Sequence, residues 1–120
     1  MKKTTAQKKK ALWRVFSEFI RKRDKGICFT CGATGLSKHN YHAGHFVPRS
    51  VGGLTLMFDE DNVHGQCYRC NMMLSGNLYL YGKKLGKLAD KLYQKKNTIV
   101  KDFPFEDKIA YYKAKLDTSR

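Results

Sequence analysis

The chain carries the cysteine pair CFTC at residues 28–31 and a second pair, CYRC, at residues 67–70. A tight turn between two such cysteines places both thiolates on one side, and two turns complete the tetrahedron that structural Zn²⁺ prefers. Gly32 follows the first pair and lets the backbone turn sharply where the sulfurs converge. A zinc site is therefore predicted in preference to a redox CxxC motif or four unrelated buried cysteines. Its ligands would be Cys28, Cys31, Cys67 and Cys70.

The composition indicates the kind of partner that such a domain would bind. The chain has 120 residues, enough for one compact domain, and its 24 Lys and Arg against 10 Asp and Glu give a formal net charge of +14. Each cationic side chain that neutralises a phosphate releases condensed counterions, so nucleic acid is the expected partner. An acidic membrane surface would attract the same charge. No apolar run approaches the roughly 18 to 20 residues of a spanning helix, and we expect a cytoplasmic protein with no membrane partner.

Helices are predicted towards both ends of the chain. Residues 1–10 are rich in lysine, and we interpret them as a basic flexible arm that either contacts phosphate or acts as a solubilising tail. Apolar residues then recur at helical spacing and predict an amphipathic helix from about Gln7 to Asp24, ended by Gly26. A second helix is predicted over 83–96, and a third begins at 102–104.

The middle of the chain, from 27 to about 66, is rich in Gly, Asn and His, and it predicts hairpins and loops. Gly52 and Gly53 are the turn signal there, and a helix is predicted to begin near Cys70 or Asn71. All four histidines lie between the cysteine pairs, next to Asn62 and three acidic residues. This concentration favours a functional site over isolated surface histidines. The residues are His39, His42, His45 and His64, with Asp59, Glu60 and Asp61.

Five short motifs resemble one known family. They are AGHF at 43–46, FDEDNVH at 58–64, QC at 66–67, CN at 70–71 and SGN at 75–77. From about Leu12 to Tyr81 the chain is similar to the phage lambda recombination endonuclease family called Rap or NinG. This resemblance implies a zinc-containing nuclease of the HNH, or ββα-metal, type that acts on branched recombination intermediates such as Holliday junctions or D-loops. If the chain is encoded by a phage, its location is the cytoplasm of the bacterial host.

The resemblance also implies a role for each of three residues. His45 corresponds to the first histidine of the HNH pattern, the general base that activates water. Asn62 corresponds to the middle asparagine, whose side chain holds the loop and orients the histidine. Asn71, directly after the last cysteine, corresponds to the third member and would ligate a catalytic Mg²⁺ or Mn²⁺.

One position departs from the HNH pattern. Many HNH proteins carry Asp, Glu or His immediately before the general base, where this chain has Gly44. His42 is the candidate substitute ligand, because residues two apart in a strand share a face, and a bulge at Gly44 would bring the two positions closer. The family carries Asp at the position of His42. The alternative ligands are His39, His64, Asp59 and Asp61.

The predicted fold is α+β. It consists of a treble-clef-like zinc knuckle with a β-hairpin and a helix, which together form the ββα-metal core, and of flanking helices at both termini. Residues 11–120 would form a single domain, with a catalytic core over about 27–82 and a helical part over 83–120. The end helices could form a homodimer, but packing within one chain explains them more simply.

Two alternatives to the branched-DNA nuclease stay open. The first is a non-catalytic zinc DNA-binding module, and the second is an HNH nuclease that cuts linear duplex DNA. Three basic residues near the motifs are candidates for phosphate contacts, although a solvated basic surface explains them equally well. They are Lys38, Arg49 and Arg69.

Overall fold

The computed structural model describes residues 2–118 and shows the mixed α+β architecture that the sequence predicts. Helices surround a single two-stranded antiparallel sheet. Within the described residues, no helix is long and apolar enough to cross a bilayer. The helices are α1 (Thr5–Arg23), α2 (Arg49–Met57), α3 (Leu78–Leu85), α4 (Lys87–Gln94) and α5 (Phe105–Thr118), and the strands are β1 (Tyr41–His45) and β2 (Val63–Cys67).

Helix α1 begins two residues earlier than the sequence predicted. Thr4 and Gln7 form a reciprocal capping box: the Gln7 amide donates to Thr4 Oγ1 at 3.2 Å, and the Thr4 amide donates to Gln7 Oε1 at 2.9 Å. These bonds satisfy two amides that would otherwise lack a partner, so the helix starts within the segment interpreted as a flexible arm. Its end agrees with the prediction, because Asp24 caps it and Gly26 has a φ of 74°.

The apolar faces of the two terminal helices pack against each other. On α1, Phe16 is fully buried, and on α5, Tyr112 meets it edge-on with ring centroids 5.0 Å apart. The start of α5 directly after Pro104 confirms the predicted helix-start signal. Packing within one chain uses both apolar faces, and the homodimer stays a prediction. The cluster also contains Leu12, Val15, Ile20, Phe105 and Leu116.

The two strands pair in a regular antiparallel register, from Tyr41 opposite Cys67 to His45 opposite Val63. The bulge considered at Gly44 does not form, since the pairing continues without interruption through Gly44 and His64. Glycine leaves space at this position for another side chain. A Cβ on Gly44 would lie only 1.9 Å from Oε1 of Gln66, which occupies that space.

The connection between the strands contains a helix where we expected loops. Pro48 precedes α2, and the helix includes the two glycines that were interpreted as a turn. Only Gly53 leaves helical geometry, with a φ of 64°, and it kinks the helix. A side chain on Gly52 would lie 2.6 Å from Leu56 Cβ, so packing of this helix against its own turn requires glycine. Apolar Leu56, which is fully buried, anchors the segment to the core.

The region after the second cysteine pair also differs from the prediction. A π-helical turn over Arg69–Met73 replaces the helix expected from Cys70 or Asn71, and it ends before Ser75, which has a φ of 50°. The helix predicted over 83–96 is two helices, α3 and α4. Gly86 separates them with a φ of 61° and a ψ of −130°, a conformation that no helix interior accepts.

Candidate metal and catalytic site

The four cysteines of the two pairs converge on one point. Their sulfur atoms all lie within 4.8 Å of one another, and within residues 2–118 they are the only group of His, Cys, Asp or Glu so arranged around a common point. The sulfurs of Cys31 and Cys67 are 3.7 Å apart. A tetrahedral site with Zn–S bonds of about 2.3 Å requires about 3.8 Å between sulfurs. The cluster therefore fits a zinc ion.

Backbone and side-chain donors support this cluster. The Cys70 amide lies 3.4 Å from Cys67 Sγ, and Asn77 Nδ2 lies 3.5 Å from Cys70 Sγ. Burial raises the pKa of Cys31 to about 12. In Cys28, by contrast, burial is outweighed by hydrogen bonds from Thr30 and the backbone, which lower the pKa to about 6. Four thiols this close cannot all ionise near neutral pH unless a cation offsets their charge. Such a thiol set is suited to a bound metal ion.

His45 is packed so that one of its ring nitrogens has a defined role. The imidazole stacks on Trp13 with centroids 5.1 Å apart, and Nε2 lies 3.1 Å from the carbonyl oxygen of Met57. A carbonyl oxygen only accepts, so the neutral ring carries its hydrogen on Nε2 and keeps a lone pair on Nδ1. Burial lowers the pKa of His45 to about 4. The hydrogen bond to Met57 acts in the opposite direction and raises the pKa, whereas the positive charge of Arg49 lowers it further. The imidazole is therefore neutral near pH 7 and can accept a proton on Nδ1.

Asn62 is fully buried and holds the connection between the strands from inside. Its Oδ1 accepts from the Val47 amide at 2.8 Å, and its Nδ2 donates to the carbonyls of Val47 at 3.0 Å and Leu56 at 2.9 Å. Leu56 precedes Met57, whose carbonyl bonds to His45. The asparagine thus fixes the backbone next to the group that orients the histidine.

The structure brings His42 and Asn71 together. Asn71 Nδ2 donates to His42 Nδ1 at 2.9 Å, and His42 Nε2 donates to the backbone carbonyl of His39 at 3.0 Å. Both side chains border an open groove of about 400 Å³, whose wall also includes Trp13. His45 points to the opposite face of β1 from His42, because side chains alternate along a strand and the two residues are three positions apart. Trp13 joins the two regions, since it lines the groove and also stacks on His45.

Two of the other candidate ligands, His64 and Asp59, have side-chain partners elsewhere. His64 Nδ1 lies 3.0 Å from Tyr81 Oη, and its ring stacks on Phe29. Tyr81 in turn donates to the carbonyl of Gly44 at 2.7 Å, which fixes the strand at that point. Asp59 pairs with Lys95 at 2.9 Å and accepts from the Asp61 amide, while the imidazole of His39 is exposed.

Gln66 also belongs to this region, although the sequence motifs assigned no role to it. Gln66 is fully buried, lies opposite His42 in the sheet, and places Oε1 next to Asn71 at Gly44. The one signal in the sequence was a polar residue directly before Cys67, within the QC motif at 66–67. The side chains that Gln66 contacts, however, are set by the register of the two strands, which the sequence does not reveal. Of the three basic candidates, Lys38 lines the groove with Arg21, whereas Arg49 and Arg69 are exposed outside it.

Comparison with known proteins identifies relatives from phages. The family model described as Bacteriophage Lambda NinG protein matches residues 1–116. A ninG protein of Escherichia phage 933W is 41% identical over 68 residues, which are 56% of this chain and 32% of the relative. That of Salmonella phage P22 is 42% identical over 64 residues (52% and 30%), and that of Escherichia phage lambda is 40% identical over 68 residues (56% and 32%). The chain thus spans about a third of the length of these relatives. No solved structure matches it.

Proposed function

The chain belongs to the NinG family of bacteriophage lambda, and we propose that it is a metal-dependent DNA endonuclease of the HNH type. The observation that carries this proposal is the environment of His45. A neutral imidazole with its hydrogen fixed on Nε2 by the Met57 carbonyl is suited to act as a general base through Nδ1. The same bond and the stacking on Trp13 hold the ring in one orientation.

The proposed reaction is hydrolysis of a phosphodiester bond. His45 Nδ1 accepts a proton from a water molecule, whose oxygen attacks phosphorus and displaces a deoxyribose oxygen. A divalent cation such as Mg²⁺ or Mn²⁺ would offset the charge that develops on the phosphate and the leaving oxygen. Asn71, held by His42, fits such a cation, because its Oδ1 lies 2.9 Å from where a Cβ of Gly44 would stand. Many HNH proteins carry Asp, Glu or His at that position.

In this proposal, His45 and Asn71 act on one phosphate that lies beside β1. Within the described residues the sheet has only two strands, so β1 pairs with β2 along one edge and has no strand partner along the other. A phosphate lying along that unpaired edge would meet His45 from one face and Asn71 from the other. Arg21 and Lys38 line the same groove and supply positive charge for the backbone of the nucleic acid.

DNA is the proposed partner, and branched DNA the proposed substrate. The net charge of +14 falls by only two when four thiolates bind one Zn²⁺, so attraction for phosphates persists. Branched recombination intermediates, such as Holliday junctions and D-loops, are the substrates that the family resemblance implies.

A second candidate function is a zinc DNA-binding module without catalysis. It is favoured by one observation: within residues 2–118, no carboxylate is hydrogen-bonded to His42 or Asn71, and Gly44 supplies none. A nuclease that cuts linear duplex DNA is the third reading. Cleavage assays separate the three.

The test is a cleavage assay on a four-way junction and on linear duplex of equal length, with and without Mg²⁺ or Mn²⁺. Wild-type protein should cut the junction faster in the presence of metal. His45→Ala should lower the rate by about 10²- to 10⁴-fold while leaving DNA affinity nearly unchanged. His39→Ala is the matched control, because that imidazole is exposed and the residue bonds to His42 only through its backbone.

Each other outcome points to one alternative. Full activity of His45→Ala would refute the assigned base. Equal rates on the junction and the linear duplex would leave a general nuclease. If the wild type binds DNA but cuts none of the substrates at any metal concentration, the binding module is the correct reading.

A further inference from the structure

Gln66 carries a buried oxygen without a hydrogen-bond partner. Among residues 2–118, only two buried side-chain polar atoms lack one, Gln66 Oε1 and Thr55 Oγ1. The Gln66 side chain is fully buried. An unpaired amide oxygen in a protein interior is costly, so it is expected to have a partner when the protein functions.

The orientation of the Gln66 amide follows from its other contacts. Nε2 donates to the Gly76 carbonyl at 2.8 Å and to Thr30 Oγ1 at 3.2 Å. Because a carbonyl can only accept, the nitrogen must face Gly76 and the oxygen must face the opposite way. The Thr30 hydroxyl lies 3.2 Å from Cys28 Sγ and can donate to that thiolate while it accepts from Gln66. The zinc cluster and this amide are thereby connected.

Two amide oxygens meet beside Gly44. A Cβ built on Gly44 would lie 1.9 Å from Gln66 Oε1 and 2.9 Å from Asn71 Oδ1, so both occupy the space of the missing side chain. Asn71 is oriented in the same manner as Gln66. Its Nδ2 faces the lone pair of His42 Nδ1, which turns its oxygen towards Gly44.

We propose that Gln66 Oε1 and Asn71 Oδ1 together bind the divalent cation, and that Gln66 supplies the oxygen ligand that Gly44 lacks. His42 is then a positioning residue that orients Asn71. This inference rests on the proposed function for the role of the cation, and the site itself can be tested without cleavage. Hard cations such as Mg²⁺ and Mn²⁺ prefer oxygen ligands, and both of these are uncharged.

The absence of charge on the two ligands has a consequence for affinity. Affinity for a hard cation rises with the number of charged ligands, so this pair alone binds Mn²⁺ weakly. A DNA phosphate on the unpaired edge of β1 adds the missing negative charge. Protein and DNA together should therefore bind Mn²⁺ more tightly than either does alone.

The first experiment measures Mn²⁺ binding by electron paramagnetic resonance on the zinc-loaded chain, with His45→Ala as background to prevent cleavage. Titrations are made with protein alone, with a four-way junction alone, and with both. Gln66→Met, which keeps the length but removes the oxygen, should weaken Mn²⁺ binding in the complex by at least about tenfold. Thr55→Val is the matched control, because it removes the other unpaired buried oxygen and should leave Mn²⁺ affinity unchanged.

The second experiment uses the wild-type chain and so does not depend on the folding of a variant. In nuclear magnetic resonance spectra, Mn²⁺ should broaden the side-chain amide signals of Gln66 and Asn71 before those of exposed Asn97. The inference is overturned if these two signals persist at saturating Mn²⁺. It is likewise overturned if folded, zinc-loaded Gln66→Met binds Mn²⁺ as tightly as its parent.

The two proposals can fail separately. Wild-type cleavage together with unchanged Mn²⁺ binding by Gln66→Met would overturn the ligand assignment and leave the nuclease standing. Mn²⁺ binding that depends on Gln66, with no cleavage of any DNA, would support the cation site and refute the nuclease.

Discussion

Replacement of Asn62 by alanine should destabilise the protein severely, although the side chain touches no reacting group. The change removes three hydrogen bonds and leaves the Val47 amide and the carbonyls of Val47 and Leu56 unpaired. Both residues are fully buried. An unsatisfied buried group costs about 1 to 3 kcal/mol. Water entering the space left by the side chain would relieve part of this cost, so we expect a loss of about 3 kcal/mol or more.

Denaturant unfolding followed by fluorescence of Trp13, the single tryptophan, measures this loss. Asn97→Ala is the control, because that side chain is exposed and should change the free energy of unfolding by less than about 0.5 kcal/mol. Zinc content should be measured in parallel, since metal binding contributes to folding in a domain of this size.

The same variant should lose cleavage activity even under conditions where it is folded, because Leu56 precedes the residue whose carbonyl holds His45. A free energy of unfolding within about 1 kcal/mol of the wild type would refute the reasoning about buried groups. Full activity in a destabilised variant would show that Asn62 does not orient the histidine.

Two further predictions concern zinc and pH. Purified protein should contain one zinc per chain, and Cys67→Ser should release it and unfold much of the domain; a folded, zinc-free protein found by metal analysis would contradict this. Burial lowers the pKa values of His45 and His64 to about 4, so the stability they contribute is complete above the unfolded pKa of about 6.5 and falls as pH drops towards 4. At pH 5.5 each histidine should lower the free energy of unfolding by about 1 kcal/mol. Denaturant unfolding at constant zinc content measures this loss. An unchanged free energy of unfolding between pH 7 and pH 5.5 would argue against neutral, buried imidazoles.

Local signals in the sequence were sufficient for several parts of the molecule. The spacing of the two CxxC pairs predicted a cluster that the structure forms, because two tight turns leave few other arrangements for four thiols. Helical periodicity placed α1 to within two residues at its start, and the signal at 102–104 placed the start of α5. Interruptions of a helix at a single residue were harder to predict. Gly86 was assigned to a helix interior, where glycine is tolerated, yet its positive φ divides that segment in two.

Patterns along the chain predict the cysteine cluster, the terminal helices and the residues from which a site could be built. How those residues meet follows from the folded chain alone. The register of β1 and β2 puts Gln66 opposite His42 and directs its amide into the space at Gly44. It also turns His42 towards Asn71 and His45 towards Trp13. Strand pairing joins residues that are distant along the chain. A shift of the pairing by one residue would move every side chain of the strand to the opposite face of the sheet. Spacing along the sequence cannot reveal such contacts, because they depend on packing around the whole sheet.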